Sequence, residues 1–152
     1  MPEIERKFLV DELPPEVRAQ PVMHLRQGYL SVEPTEVRLR SIDGRTHELT
    51  IKSQGGLERA EVNLALEPEQ FEELWPLVET SVEKTRTRVE VAGWIAEVDV
   101  YEGRLRGLMV VEVEFPSEAE ATAFIPPAWF VSEVTEDPRY RNAALAGADS
   151  PP

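Results

Sequence analysis

The chain opens on Glu3-Ile4-Glu5-Arg6-Lys7-Phe8-Leu9-Val10, where carboxylates and an ammonium stand at alternate positions. In an extended strand every second side chain shares a face, so Glu3, Glu5 and Lys7 point one way and Ile4, Arg6, Phe8 and Val10 the other. Carboxylates give hard oxygen ligands to Mg²⁺ or Mn²⁺, and a neighbouring ammonium can neutralise an anion held by the same ion. The alternation recurs down the chain. Arg38 and Arg40 share a parity, as do Glu48, Thr50 and Lys52, with His47 on the other. Arg59, Glu61 and Asn63 follow, then Lys84, Arg86, Arg88 and Glu90, then Glu97, Asp99 and Tyr101, and finally Glu112 and Glu114. Intervening positions such as Val37, Leu39, Ile51, Val62, Val98 and Val111 are apolar.

Strands must position these rows. The pattern predicts strands over 3–10, His24–Val32, Glu36–Ile42, Thr46–Ser53, Leu57–Leu66, Ser81–Val91, Gly93–Tyr101 and Leu108–Phe115. Asp43-Gly44 is a hairpin signal between two of them. Glu67-Pro68-Glu69-Gln70 starts a helix with Phe71, Leu74, Trp75 and Val78 as its apolar stripe. Ser117 caps a second helix, interrupted by Pro126-Pro127, and Asp137 caps a short terminal one running to Leu145. The expected organisation is a single domain over 1–146 with 147–152 as a disordered tail. About eight strands joined by short turns predict an antiparallel meander, closed as a barrel or open as a sandwich. In a sandwich the charges face water. In a barrel they face inward and the helices cover an apolar exterior. Basic rows (Arg38/Arg40, Lys84/Arg86/Arg88) and acidic rows (Glu97/Asp99, Glu112/Glu114) fall on separate strands, which favours the second arrangement and predicts one basic and one acidic wall.

Composition narrows the chemistry. A net charge of −13 over 152 residues disfavours non-specific binding to nucleic acid or an anionic membrane. There is no cysteine, which removes disulfides and thiolate metal sites. No apolar run approaches the roughly 20 residues of a membrane span and no signal-peptide pattern opens the chain, so the expected location is the cytoplasm. The two histidines, His24 and His47, have no partner at metal-ligand spacing. Only Lys7, Lys52 and Lys84 are lysines, each in a strand, while the other basic residues are arginines. A lysine can be tuned in pKa where a guanidinium cannot, so these three positions suit lysine chemistry. The basic wall fits phosphate oxygens and the acidic wall fits a divalent ion, without any glycine-rich phosphate loop.

With these residues in place, the chain resembles the CYTH superfamily, the triphosphate tunnel metalloenzymes, in its short single-domain bacterial form. The N-terminal run looks like the family's ExExK signature. Matches continue through Gln27-Gly28-Tyr29-Leu30, Arg38-Leu39-Arg40, Thr50-Ile51-Lys52, Arg59-x-Glu61, Lys84-Thr85-Arg86, Glu97-Val98-Asp99, Glu112-Val113-Glu114-Phe115 and the closing Asp137-Pro138-Arg139-Tyr140-Arg141-Asn142. The resemblance implies a mainly β (α+β) fold, an eight-stranded antiparallel barrel with peripheral helices, and Mg²⁺- or Mn²⁺-dependent hydrolysis of a triphosphate. Inorganic triphosphate ranks first as the small-molecule partner. Thiamine triphosphate, cyclisation of ATP and a non-catalytic polyphosphate- or nucleotide-binding module are the alternatives. It assigns the phosphates to Lys7, Arg38, Arg40, Lys52, Lys84 and Arg86, and metal to Glu3, Glu5, Asp99, Glu112 and Glu114, with Glu61 a further member. It pairs Lys84 with Tyr29 to activate the attacking water. Where relatives often carry a second glutamate, this chain has Asn63. A homodimer is compatible with the family; neither a nucleic acid nor a membrane is expected as a partner.

Overall fold

Alternating charged and apolar residues give each strand two unlike faces, and the fold is the means by which both are covered. The computed structural model describes residues 4–53 and 60–152. Its strands are β1 (Ile4–Leu9), β2 (Met23–Ser31), β3 (Glu36–Ile42), β4 (Thr46–Lys52), β5 (Glu61–Leu66), β6 (Thr80–Val91), β7 (Trp94–Tyr101), β8 (Met109–Phe115) and β9 (Ser132–Glu133). They form one antiparallel sheet in the order β5-β4-β3-β2-β6-β7-β8-β1-β9. The eight long strands are those the alternation predicts. Asp43 and Gly44 both take positive φ, 53° and 64°, and make the tight β3–β4 turn.

Among the described residues the sheet is not closed into the expected eight-stranded barrel: nine strands are present, and the edges β5 and β9 are not paired with each other. The free rim of β1, which a closing strand would need, is taken by the segment around β9. There Val131 N–H donates to Leu9 O (2.9 Å), Val134 N–H to Lys7 O (2.8 Å) and Lys7 N–H to Thr135 Oγ1 (3.0 Å). The charge rows are also not separate walls: β6 pairs directly with β7, so basic and acidic rows meet residue for residue.

The apolar outer face carries the larger core. Phe8, Val89, Val98, Val111, Val113 and Phe115 are buried there with Val17 of α1 (Pro15–Arg18), Ala121 of α3 (Glu118–Ala123), Phe124 and Phe130. Each of the buried valines and phenylalanines contributes about 1.5–3 kcal/mol by leaving water. Arg6, on this outer parity, donates from Nη1 to the carbonyls of Ala121 (2.8 Å) and Phe124 (2.9 Å), satisfying the C-terminal turn of α3 while its Nη2 pairs with Glu133 (2.8 Å). Ser117 caps α3 as expected, its Oγ accepting from Glu120 N–H at 3.2 Å. The inner face has its own cluster. Tyr29, Val82, Tyr101, Leu105 and Val110 pack with Tyr140, Leu145 and Ala146, the last two on α4 (Asn142–Ala146). The predicted terminal helix is thus a 3-10 turn at Pro138–Tyr140 followed by α4, and it folds onto the charged side of the sheet.

The helix α2 (Pro68–Leu74) and the turn after it lie close over β2, where a side chain has no room. A Cβ on Gly28 would stand 2.7 Å from both Val78 methyls and 2.9 Å from Trp75. Gly28→Ala therefore costs about 1–3 kcal/mol through overpacking, read as a lower urea midpoint at unchanged m-value.

Candidate functional site

Register decides which side chains meet. Lys7 faces Glu112 and Glu5 faces Glu114 across β1 and β8, and Glu112 faces Glu97 across β8 and β7. Asp99 faces Arg86 and Tyr101 faces Lys84 across β7 and β6. Gln27 faces Arg40 and Tyr29 faces Arg38, while Thr50 lies between Arg38 and Asn63, and Lys52 between Glu36 and Glu61. Opposed residues share a face, so all predicted site residues among the described ones stand on the inner face. Glu3 and Arg59 lie outside the described residues.

At the centre of this face Asp99 is buried between two cations. Its Oδ1 accepts from Arg86 Nε (2.8 Å), and its Oδ2 accepts from Arg86 Nη2 (3.0 Å) and pairs with Lys84 Nζ at 2.9 Å. Burial opposes its ionisation, but Lys84 and Arg86 outweigh burial and hold the carboxyl far below the usual carboxylate range. Burial likewise works against the Arg86 charge, yet the hydrogen bonds to Asp99 win and raise its proton affinity. Lys84, only 1% exposed, has its pKa lowered by burial, which Asp99 partly offsets. Asp99 is thus paired with both cations at once. Glu61, on the edge strand β5, pairs with Lys52 (3.8 Å), with five strands between β5 and β8 in the sheet order.

Toward β3 the positive charges lack carboxylates of equal strength. Arg40 Nε and Nη2 donate to Gln27 Oε1 at 3.0 and 2.9 Å, with Glu48 at 3.7 Å. Burial, with Arg38 and Arg86 adding to it, draws the Arg40 pKa down to about 10. Arg38 donates only a long hydrogen bond (3.4 Å) to Thr50 Oγ1, whose own proton goes to Asn63 Oδ1 at 2.7 Å. Arg38 Nε is buried with no partner among the described residues. A buried guanidinium with an unused donor calls for an acceptor that carries negative charge.

The acidic side has the complementary need. Carboxylate oxygens of Glu5, Glu112 and Glu114 lie within 4.8 Å of one another. A hydrogen bond with Glu112, then partial desolvation of its carboxyl by the packed neighbours, then the like charge of Glu112 push the Glu5 pKa up to about 8. Carboxylates that must share a proton to sit together are a fitting donor set for a hard divalent cation, which would relieve the same repulsion.

Tyrosine placement differs from the pairing expected of Lys84. Tyr29 is buried, and its hydroxyl accepts from Gln27 Nε2 at 2.7 Å rather than meeting Lys84. The tyrosine beside Lys84 is Tyr101, with Nζ 5.3 Å from its ring centre. Both Lys84 Nζ (3.1 Å) and the Tyr101 hydroxyl (2.9 Å) donate to Asn142 Oδ1. Sequence reasoning placed Tyr101 on the polar parity without a role and gave Asn142 none. Burial raises the pKa of both tyrosines.

Known proteins resemble this chain in sequence and fold. A model of the CYTH domain matches residues 1–134. An inorganic triphosphatase of Nitrosomonas europaea is 52% identical over 151 residues, spanning 96% of this chain and 97% of that protein. An inorganic triphosphatase of Acetivibrio thermocellus is 33% identical over 147 residues, covering 94% and 92% of the two chains. A crystal structure of an inorganic triphosphatase superposes with a TM-score of 0.79 at 45% identity over 97% of this chain and 96% of that one. A Pyrococcus furiosus protein of 20% identity, TM-score 0.55 over 80% and 83%, shares the fold alone.

The carboxylate trio makes the metal-free protein sensitive to pH. Glu5 binds its proton more tightly folded, at about 8, than at its ordinary 4.5. Its stabilising contribution is therefore complete below about 4.5 and fades as pH rises through about 8. In chelator the melting temperature should fall across that window. The fall should be shallower with Mg²⁺ present and absent in Glu5→Gln.

Proposed function

The chain belongs to the CYTH domain family, and from that premise we propose that it hydrolyses inorganic triphosphate to diphosphate and orthophosphate with Mg²⁺ or Mn²⁺. Arg38 carries the reading. Its Nε is a buried donor without an acceptor among the described residues, on the same inner face as Arg40, Lys84 and Arg86. Those cations are desolvated and press on one another, which a polyanion would relieve, and a planar guanidinium forks onto phosphate oxygens. Lys7 and Lys52 extend the positive character toward β1 and β4, each 3.8 Å from a carboxylate, Glu112 and Glu61, while Lys7 Nζ also donates to Tyr140 O at 2.9 Å.

Glu5, Glu112 and Glu114 would hold the ion, Glu3 being the adjoining residue of the same parity. Bound there, a divalent cation supplies charge compensation to phosphate oxygens. The chain's own groups do the rest. Arg38, Arg40 and Arg86 bind and align the triphosphate so that a terminal phosphorus faces water. Oxygen of the water bonds to that phosphorus as the bond to the bridging oxygen breaks, and the bridging oxygen leaves with diphosphate. Lys84 in its neutral form takes the water's proton at Nζ, a role helped by its lowered proton affinity. Tyr29, braced by Gln27 beside Arg40, orients the reacting end.

Phosphate release from inorganic triphosphate should require Mg²⁺ or Mn²⁺ and stop in chelator. Lys84→Ala should lower kcat by about 10²–10⁴. Arg38→Ala should act mainly through KM, with kcat/KM down about 10–100-fold for a lost charged hydrogen bond. Full turnover in chelator, or by Lys84→Ala, would defeat the assignment.

A further inference from the structure

Lys84 is held by a residue from outside the sheet. The neighbours on β6 and β7 fix it on one side only, through Asp99 Oδ2 at 2.9 Å. On the other side stands Asn142, the first residue of α4, whose Oδ1 accepts from Lys84 Nζ at 3.1 Å. An ammonium is only a donor, so the amide must turn its oxygen, not its nitrogen, toward Lys84. The Tyr101 hydroxyl donates to that same oxygen at 2.9 Å and fixes the amide's orientation. The helix itself is locked in place. Leu145 and Ala146 are buried in the inner cluster, and Arg104 Nη2 donates to Ala146 O (2.9 Å) and Ser81 O (2.9 Å) while Nε donates to Ala148 O (3.2 Å).

We propose that Asn142, braced by Tyr101, is a positioning residue that fixes rotation of the Lys84 amino group. This rests on the hydrolytic role given to Lys84 above. Nζ is tetrahedral, with one position taken by Cε and two directed at Asp99 and Asn142. One position remains. In the charged form it is an N–H for a phosphate oxygen; in the neutral form it is the lone pair that accepts the water's proton. With Asp99 alone, the group turns freely about Cε–Nζ and the reactive position is smeared over a circle. Asn142 is uncharged, so it orients the nitrogen without adding a second carboxylate beside the phosphate site. Its carrier helix also closes the inner face around Lys84, linking the C-terminal segment to the chemistry.

Two readouts test this. Asn142→Leu keeps size and helix while removing the acceptor. It should lower kcat for inorganic triphosphate about 10- to 100-fold, the scale of a displaced reacting group, with KM within a few-fold of wild type. Tyr101→Phe should lower kcat less, and the double variant should be no worse than Asn142→Leu, since the brace acts only through the amide. The second readout needs no substrate. With Lys7, Lys52 and Lys84 the only lysines, ¹⁵N-lysine labelling yields few side-chain signals, and Lys84→Arg identifies that of Lys84. Its slow exchange with water should be lost in Asn142→Leu. Unchanged kcat and unchanged exchange would overturn the proposal. So would a raised KM and lowered melting temperature at wild-type kcat, which would make the helix merely structural. Wild-type protein that released no phosphate would count against the hydrolytic reading, while the nitrogen signal would still judge whether Asn142 anchors Lys84.

Discussion

A carboxylate buried between an ammonium and a guanidinium, Asp99 with Lys84 and Arg86, is the interaction on which the inner face depends. Burying any one of the three alone would cost several kcal/mol. Together they satisfy one another because β6 and β7 pair in a register that puts Asp99 opposite Arg86 and Tyr101 opposite Lys84. Charge is therefore concentrated in the middle of a sheet rather than spread on its rim. The groups on either side are left unbalanced in opposite senses: Arg38 and Arg40 without strong carboxylate partners, and Glu5, Glu112 and Glu114 crowded together. That imbalance is what an anionic substrate with a divalent cation would neutralise.

The alternation that makes the site also makes the fold, and one residue separates the two tasks. Glu5 and Lys7 face inward, and Arg6 between them ties α3 and Glu133 to the outer face. A slip of one residue in β1 would exchange these roles and expose Phe8 to the charged interior. The outer hydrophobic core thereby fixes the register on which the inner chemistry relies. Folding stability and site geometry share one set of strand pairings.

Much of this was legible in the sequence. The eight strands and the shared parity of their charged residues follow from a period of two, which is local and survives any tertiary arrangement. Ser117 as a cap and Asp43-Gly44 as a turn are equally local. The inward direction of the charges was open, because alternation alone suits a solvated face as well. Lys84 at 1% and Asp99 at 6% exposure decide it at the sheet's centre, whereas Glu5 and Glu114 remain exposed at its rim.

The sequence by itself determined which residues share a face and that this face gathers both cationic and carboxylate side chains. Only tertiary structure decided which of them meet. Strand order placed β6 beside β7, so rows that read as two opposed walls became paired ions. The segment around β9 took the rim of β1, and among the described residues the sheet does not close. The terminal helix brought Asn142 to Lys84 across 58 residues of chain, a contact that no periodicity encodes. Parity is a property of neighbouring peptide units. Pairing and docking are set by the packing of surfaces far apart in sequence, so they become visible only when the chain is folded.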